Sequence, residues 1–236
     1  VDKILVTSRM FQNYFIEEFG ISEDRIKYLP QYAISEFDNI PEQFEKNTID
    51  FVFAGNVGAA QNLYVVLKAA KSVQEEKIND NGKKIYFHII GDGQELDNLK
   101  KYAHDNGIQN VIFHGRKPSE EMPRYYTFAD AMIVTLTANP LVSLTLPAKV
   151  QSYMAAGKPI LASANGEIAN VIKESGAGFC AHADDDSEFV DIVKLFLNNE
   201  ERYNMGKNAR KYYVNNFSKE IVMDKLEKIL IKEAIY

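Results

Sequence analysis

Cysteine is nearly absent: Cys180 is the single one among 236 residues. One thiol can form no disulfide within the chain and cannot build a cysteine-based metal cluster, so a reducing compartment is the simplest home. Long apolar runs are missing as well. No stretch approaches the roughly 18 residues that cross a bilayer, and the expectation is a cytoplasmic chain. Basic charge is not in excess, since the formal net charge is −6 and the pI is about 5.4. That balance argues against a nucleic-acid partner or a strongly basic membrane-binding face. The phosphate-binding pattern G-x-x-x-x-G-K-[ST] is absent, which removes a kinase or GTPase reading. The dinucleotide fingerprint G-x-G-x-x-G is also absent. The first glycine turn reads Gly55-Asn56-Val57-Gly58, and although Asp92 imitates a ribose-binding acid, the turn spacing is wrong for a nicotinamide or flavin dehydrogenase. Asp184-Asp185-Asp186 holds a formal D-x-D, the pattern of metal-dependent transferases. It sits ahead of a helical stretch and reads as capping and solvated acids, so no metal site is expected.

What is present is an ordinary composition, 46% hydrophobic and 25% charged, with apolar material enough for one large core or two smaller ones. From residue 51 six short runs rich in strand formers follow one another: FVFAG, KIYFHIIG, NVIFHG, DAMIVTL, KPILAS and AGFCAHA. Helical segments separate them, which predicts an α/β fold whose parallel six-stranded sheet carries helices on both faces. Ser119, Asn165, Asp185 or Asp186, and Ser218 are the candidate helix caps. The start of the chain is different. Val1 leads directly into a strand-like Ile4-Leu5-Val6-Thr7, residues 9–19 have helical spacing before Gly20, and Ile26–Leu29 reads as a second strand. Residues 1–37 therefore read as the remnant of a preceding domain, with a natural N-terminal extension packed on one domain as the alternative, and 38–50 as a polar linker. Residues 51–217 read as the main domain and 218–236 as a C-terminal amphipathic helix.

In an open parallel sheet a ligand belongs at the carboxyl ends of the strands, where the strand order reverses. Gly55-Asn56-Val57-Gly58, Gly91-Asp92-Gly93 and Gly115-Arg116-Lys117 fall at successive strand ends. Glycine permits tight turns there and lets backbone amides approach an anion. The segment LTLPAKVQSYMAAGKP, residues 144–159, adds a cation. With Pro147 near the first helical position, Lys149 lies in the first turn of a helix that Gly157 and Pro159 end. A cation at that end opposes the helix dipole at a cost of about 0.3–1 kcal/mol, and a bound phosphate would remove that cost. On spacing alone a solvent-exposed lysine remains the alternative. The three- and four-residue spacing puts Thr145, Lys149 and Ser152 on one stripe, with Val150, Tyr153 and Met154 on the core-facing one.

These stretches carry a resemblance. PAKVQSYMAAGKPI, FAGNVGAAQNL, HIIGDGQELDNLKKYA, VIFHGRKPSEEMPRYYTFADAMIV and GEIANVIKESGAGF, in this order, resemble the donor half of GT-B glycosyltransferases of family 4, the bacterial surface-polysaccharide branch in particular. The resemblance implies a Rossmann-like donor-nucleotide domain and places 1–37 at the end of an acceptor-binding domain. It implies a retaining transferase of hexosyl type that uses a UDP-activated sugar and is inactive as this segment alone. No cofactor is implied, the nucleotide sugar being a substrate, and the acceptor, a glycan or a lipid-linked one, would be held by the N-terminal domain. The full-length protein would touch the inner face of the cell membrane peripherally.

By the same resemblance Lys149 pairs with the donor diphosphate as the leaving-group residue, with Arg116 beside it. Gly55, Asn56 and Gly58 match the first glycine turn, and Gly91 the second. Phe113, His114, Gly115 and Arg116 match the loop that holds the base, Lys117 adds a further positive charge there, and Leu144, Thr145, Pro147 and Ser152 match the segment around the lysine. Two departures stand out. Many relatives carry glutamates where this chain has Leu144 and Ser152, and a serine hydroxyl grips a ribose diol less firmly than a carboxylate. Ala59, Ala60 and Gln61 replace a basic residue after the first glycine turn. Glu167 reads either as a donor contact or as an N-terminal acid matched to the helix dipole. Two alternatives stay open: a UDP-sugar 2-epimerase of the same architecture, and a non-catalytic nucleotide-sugar-binding subunit.

Overall fold

Alternate residues of each strand enter different cores, and this sets the layers of the molecule. The computed structural model describes residues 3–37, 40 and 45–234. The chain begins with β1 (Ile4–Val6), α1 (Met10–Phe19) and β2 (Ile26–Tyr28), then continues through β3 (Thr48–Ala54), α2 (Tyr64–Glu75), β4 (Lys84–Ile90), α3 (Leu96–Asp105) and β5 (Val111–Gly115). Next come α4 (Met122–Phe128), β6 (Ala131–Thr135), α5 (Pro140–Ser143), α6 (Ala148–Ala155), β7 (Ile160–Ser163), α7 (Glu167–Ser175) and β8 (Gly178–Ala181). Helices α8 (Asp186–Leu197), α9 (Arg202–Asn216) and α10 (Lys219–Ala234) close it.

Among the described residues, six parallel strands form one sheet in the order β5-β4-β3-β6-β7-β8. The order runs outward from β3 to β5 and reverses from β6 to β8, so the switch lies between β3 and β6. On β3, Val52 and Ala54 join one core with Tyr153 and Met154 of α6. Ile49, Phe51 and Phe53 join the other, with Val65 and Val66 of α2 and Phe189 of α8. Burying both faces explains why these strands read as nearly continuous apolar runs.

The expected α/β sheet with helices on both faces is what the structure has. The first strand starts earlier than its apolar run, at Thr48, so the last three residues of the expected linker belong to β3. Asp50 is tolerated in the sheet because Lys46, Thr48 and His88 satisfy its carboxylate. Residues 38, 39 and 41–44 of that linker lie outside the described residues. Two expected caps are corrected. Ser119 opens a 3-10 turn and bonds Glu120, and Asn165 accepts from Ala183 N while Gly166 takes the cap position of α7. Asp185 does cap α8, accepting from Glu188 N at 2.9 Å, and Ser218 receives Ile221 N at 3.4 Å at the start of α10.

The N-terminal strands pair in parallel, Ile4 with Ile26 and Val6 with Tyr28, and α1 ends at Gly20 with φ 61°. This unit leans on the carboxyl-end rim of the large sheet. Ser8 Oγ donates to Leu144 O, and Arg9 Nε lies 2.8 Å from Oε1 of Glu167, a carboxylate with 1% exposure. No helix among the described residues is long and apolar enough to cross a membrane.

Candidate functional site

The turns after β3, β4 and β5 are laced together by backbone. Gly55 N donates to Ile90 O, Gly91 N to Gly115 O and Val57 N to Asp92 O, each at 2.9 Å. Side chains are excluded from the crossing. A methyl on Gly91 would lie 1.8 Å from Gly55 O, and φ at Gly91 is +144°. Glycine is thus required sterically as well as conformationally. The three turns surround a cleft of about 380 Å³ lined by Gly55, Asn56, Gly91, Asp92, Arg116 and Lys117. It opens at the carboxyl ends, beside the switch in strand order, the location that α/β sheets use for ligands.

Helix α6 supplies the cation. Pro147 occupies its cap position with φ −63°, one residue before the expected place, and Lys149 is the second helical residue. Val150, Tyr153 and Met154 are fully buried, as the spacing predicts. The polar stripe is only partly realised. Asn139 caps the short α5 ahead of it, and the turn continues so that Thr145 lies outside α6 with its hydroxyl on Val142 O at 2.7 Å. Ser152 Oγ likewise turns back to Ala148 O at 3.2 Å. Only Lys149 reaches the glycines: a methyl on Gly55 would lie 2.4 Å from its Nζ. Among the described residues the ammonium has no hydrogen bond or ion pair, and its Nζ sits 4.0 Å from the centroid of the Phe53 ring. Burial pulls its pKa down from 10.5 to about 8.

The structure thus gathers Gly55, Asn56, Gly91, Arg116 and Lys117 around one cleft and brings Lys149 to its wall. Gly115 contributes its carbonyl to the lacing. Gly58 N–H is taken by Gln61 Oε1 at 3.1 Å, and Leu144 offers its carbonyl to Ser8. Phe113 packs into the core cluster with Phe53. The His114 ring departs furthest from the base-holding place. It faces the opposite layer, with Nε2 2.9 Å from Nδ1 of His88, whose Nε2 lies 2.8 Å from Asp50 Oδ1. Burial works to raise Asp50, but the hydrogen bonds from His88, Lys46 and Thr48 outweigh it and hold the carboxyl at about 2. An ionised Asp50 accepts from His88 Nε2–H, so in a neutral His88 ring Nδ1 accepts from His114 Nε2–H. Burial, then the nearby His88 and Lys117, lower the His114 pKa. This chain lines a second cavity, about 850 Å³, with Tyr125 and Phe128.

Sequence spacing missed Phe53 and His88. Each sits in an apolar strand and carries no motif, although the alternation of β3 does place Phe53 on the same face as Phe51. The three aspartates of the triplet serve separate partners. Asp184 accepts from Asn62 and from Ala138 N, Asp185 caps α8, and Asp186 pairs with Lys68.

The family described as "Glycosyl transferases group 1" matches residues 35–212, a span that holds the cleft, Lys149 and the sheet. The chain belongs to this family. It is 32% identical over 195 residues to the "Probable glycosyltransferase WbjE" of Pseudomonas aeruginosa, covering 80% of this chain and 45% of that protein. It is 22% identical over 245 residues to the "Lipopolysaccharide 1,2-N-acetylglucosaminetransferase" of Salmonella typhimurium, covering 95% of this chain and 61% of that one. The chain thus spans roughly half the length of these curated relatives. Its fold matches that of Anabaena HepE in complex with UDP, with a TM-score of 0.80 at 15% identity over 100% of this chain and 64% of the other. The six-stranded parallel sheet with its flanking helices thus matches GT-B glycosyltransferase structures.

Proposed function

We propose that this member of the glycosyl transferases group 1 is the donor-binding half of a retaining hexosyltransferase that uses a UDP-sugar. Its acceptor would be a cell-surface glycan or a lipid-linked precursor, held by a domain outside this chain at the inner face of the membrane. By itself the chain would bind nucleotide and transfer little or no sugar. Breaking the sugar–phosphate bond leaves negative charge on the diphosphate. Charge that develops this way is best stabilised by donors already aimed at it in a water-poor site. Lys149, the amides of the glycine turns and Arg116 would fill that role, and Lys117 with the Gly115 turn would hold the base.

One observation carries this reading: an ammonium that has no acid partner among the described residues, drawn from water and set against Gly55 at the reversal of strand order. A lysine built only for stability is ordinarily paired or solvated. HepE, of like fold, was crystallised with UDP, which makes UDP the first nucleotide to try. Isothermal calorimetry with UDP at pH 7 is expected to show binding that Lys149→Ala weakens ten-fold or more, about 1.4 kcal/mol. Equal affinity in both proteins would remove Lys149 from the site.

A further inference from the structure

A lysine poised for an anion faces a conflict. Left alone it swings into water or loses its proton. Given a carboxylate it is neutralised and the anion must compete. The structure resolves this with an aromatic ring. Phe53 has no exposed surface and is fixed beside Ile89 in the central strands, within the core formed by Phe51, Phe87 and Phe196. Its ring cannot follow a moving lysine without opening that core. The Lys149 Nζ stands over it at 4.0 Å, and bare Gly55 leaves the room that the ammonium occupies.

We propose that Phe53 is a positioning residue for the leaving group: its ring face holds the Lys149 ammonium at the glycine turn while leaving the positive charge free for the substrate's phosphates. This deepens the functional reading above and rests on Lys149 being the diphosphate cation. The negative face of an aromatic ring attracts a cation, the more so when water is excluded. It supplies no anion to compete with the ligand. The ring also opposes the desolvation that pulls Lys149 down to about 8, because any interaction with the charged form favours that form. Removing the ring should therefore do two things. It should loosen the lysine, and it should make the lysine lose its proton at lower pH.

The test is calorimetric titration of UDP between pH 7 and 9 into the unmodified chain, Phe53→Leu, Phe53→Tyr and Lys149→Ala. Wild-type affinity should fall as pH rises through about 8, following the lysine. Phe53→Leu should bind about five-fold more weakly at pH 7.5 and begin its fall at a lower pH, whereas Phe53→Tyr, which keeps the ring face, should restore both. A merely structural Phe53 would not move the pH profile. If Phe53→Leu does not fold, 3,4,5-trifluorophenylalanine at position 53 keeps the shape and weakens the ring's negative face, and the same shift is expected. Wild-type affinity and profile in the leucine or fluorinated protein, with Lys149→Ala weakened, overturn the role of the ring alone. An unaffected Lys149→Ala overturns the reading beneath it.

Discussion

His88 Nε2 lies 2.8 Å from Oδ1 of Asp50, on neighbouring strands and with both residues buried. Lys46 holds the other carboxylate oxygen and also reaches Asp130, so the acid is ionised inside the fold by virtue of its donors. Its pKa is about 2, against 3.8 for an ordinary aspartate. A carboxyl whose folded pKa is depressed gives stability that is present above the unfolded value and is lost as pH falls through the folded one. Between pH 5 and pH 2 the chain should lose about 2 kcal/mol from this group alone. Urea unfolding followed by circular dichroism at pH 5, 4 and 3 checks it. Asp50→Asn should be less stable at pH 5 and show a shallower decline. Parallel declines in the two proteins would assign the acid sensitivity elsewhere.

Asp50 also shows what a sequence conceals. The sheet was legible because burial on both faces makes every strand an apolar run, and the glycine turns because their spacing repeats at strand ends. Lys149 was legible as a cation in the first turn of a helix marked by Pro147 and Gly157. The His114 ring was not. Its neighbours Gly115 and Arg116 turn toward the cleft, but strand alternation sends the preceding side chain to the other layer, where His88, 26 residues earlier, receives it. Thr145 was misplaced for a related reason. Helix α6 starts at Ala148, and the preceding turn is decided by Asn139, whose side chain accepts from Leu141 N and Val142 N. Phe53 is one of several aromatic residues in β3 and β4, and only tertiary packing sets it under a lysine.

The crossing of Gly55 and Gly91 predicts a large effect from one methyl group. In Gly91→Ala the new carbon would meet Gly55 O at 1.8 Å and require φ +144°, so the backbone of one turn must move. A loss of about 2 kcal/mol or more is expected, together with loss of UDP binding. Gly20→Ala provides the control. Gly20 has φ +61° but nothing within 4 Å of a built methyl, so it should cost only about 1 kcal/mol of left-handed backbone and leave UDP affinity unchanged. Thermal melts and calorimetry on both variants separate the outcomes. Gly91→Ala with wild-type binding would mean that the turns need not be locked for the cleft to work.

A residue kept for ligand binding at the expense of the empty fold should be improvable when binding is ignored. Lys149 meets the conditions. Its charge is desolvated, it stands near the positive end of α6, and no acid among the described residues compensates it. Lys149→Met keeps length and apolar contact with Phe53 and removes the charge. The variant should be more stable than the unmodified chain by on the order of 1 kcal/mol at pH 7, while binding UDP at least ten-fold more weakly. The sign of the pH dependence follows from linkage. With a folded pKa of about 8 against 10.5, the unfolded chain binds the extra proton between these values, so wild-type stability rises with pH across that window. The methionine protein lacks this gain, and its advantage should shrink from pH 7 to pH 9.5. Lys158, also drawn down to about 8 by burial, is common to both proteins and cancels in the difference. Paired urea titrations at pH 7, 8.5 and 9.5 measure the gap. A methionine variant less stable than wild type at pH 7 would show that the ammonium has a partner beyond the Phe53 ring in the unliganded fold and is not held in reserve for an anion.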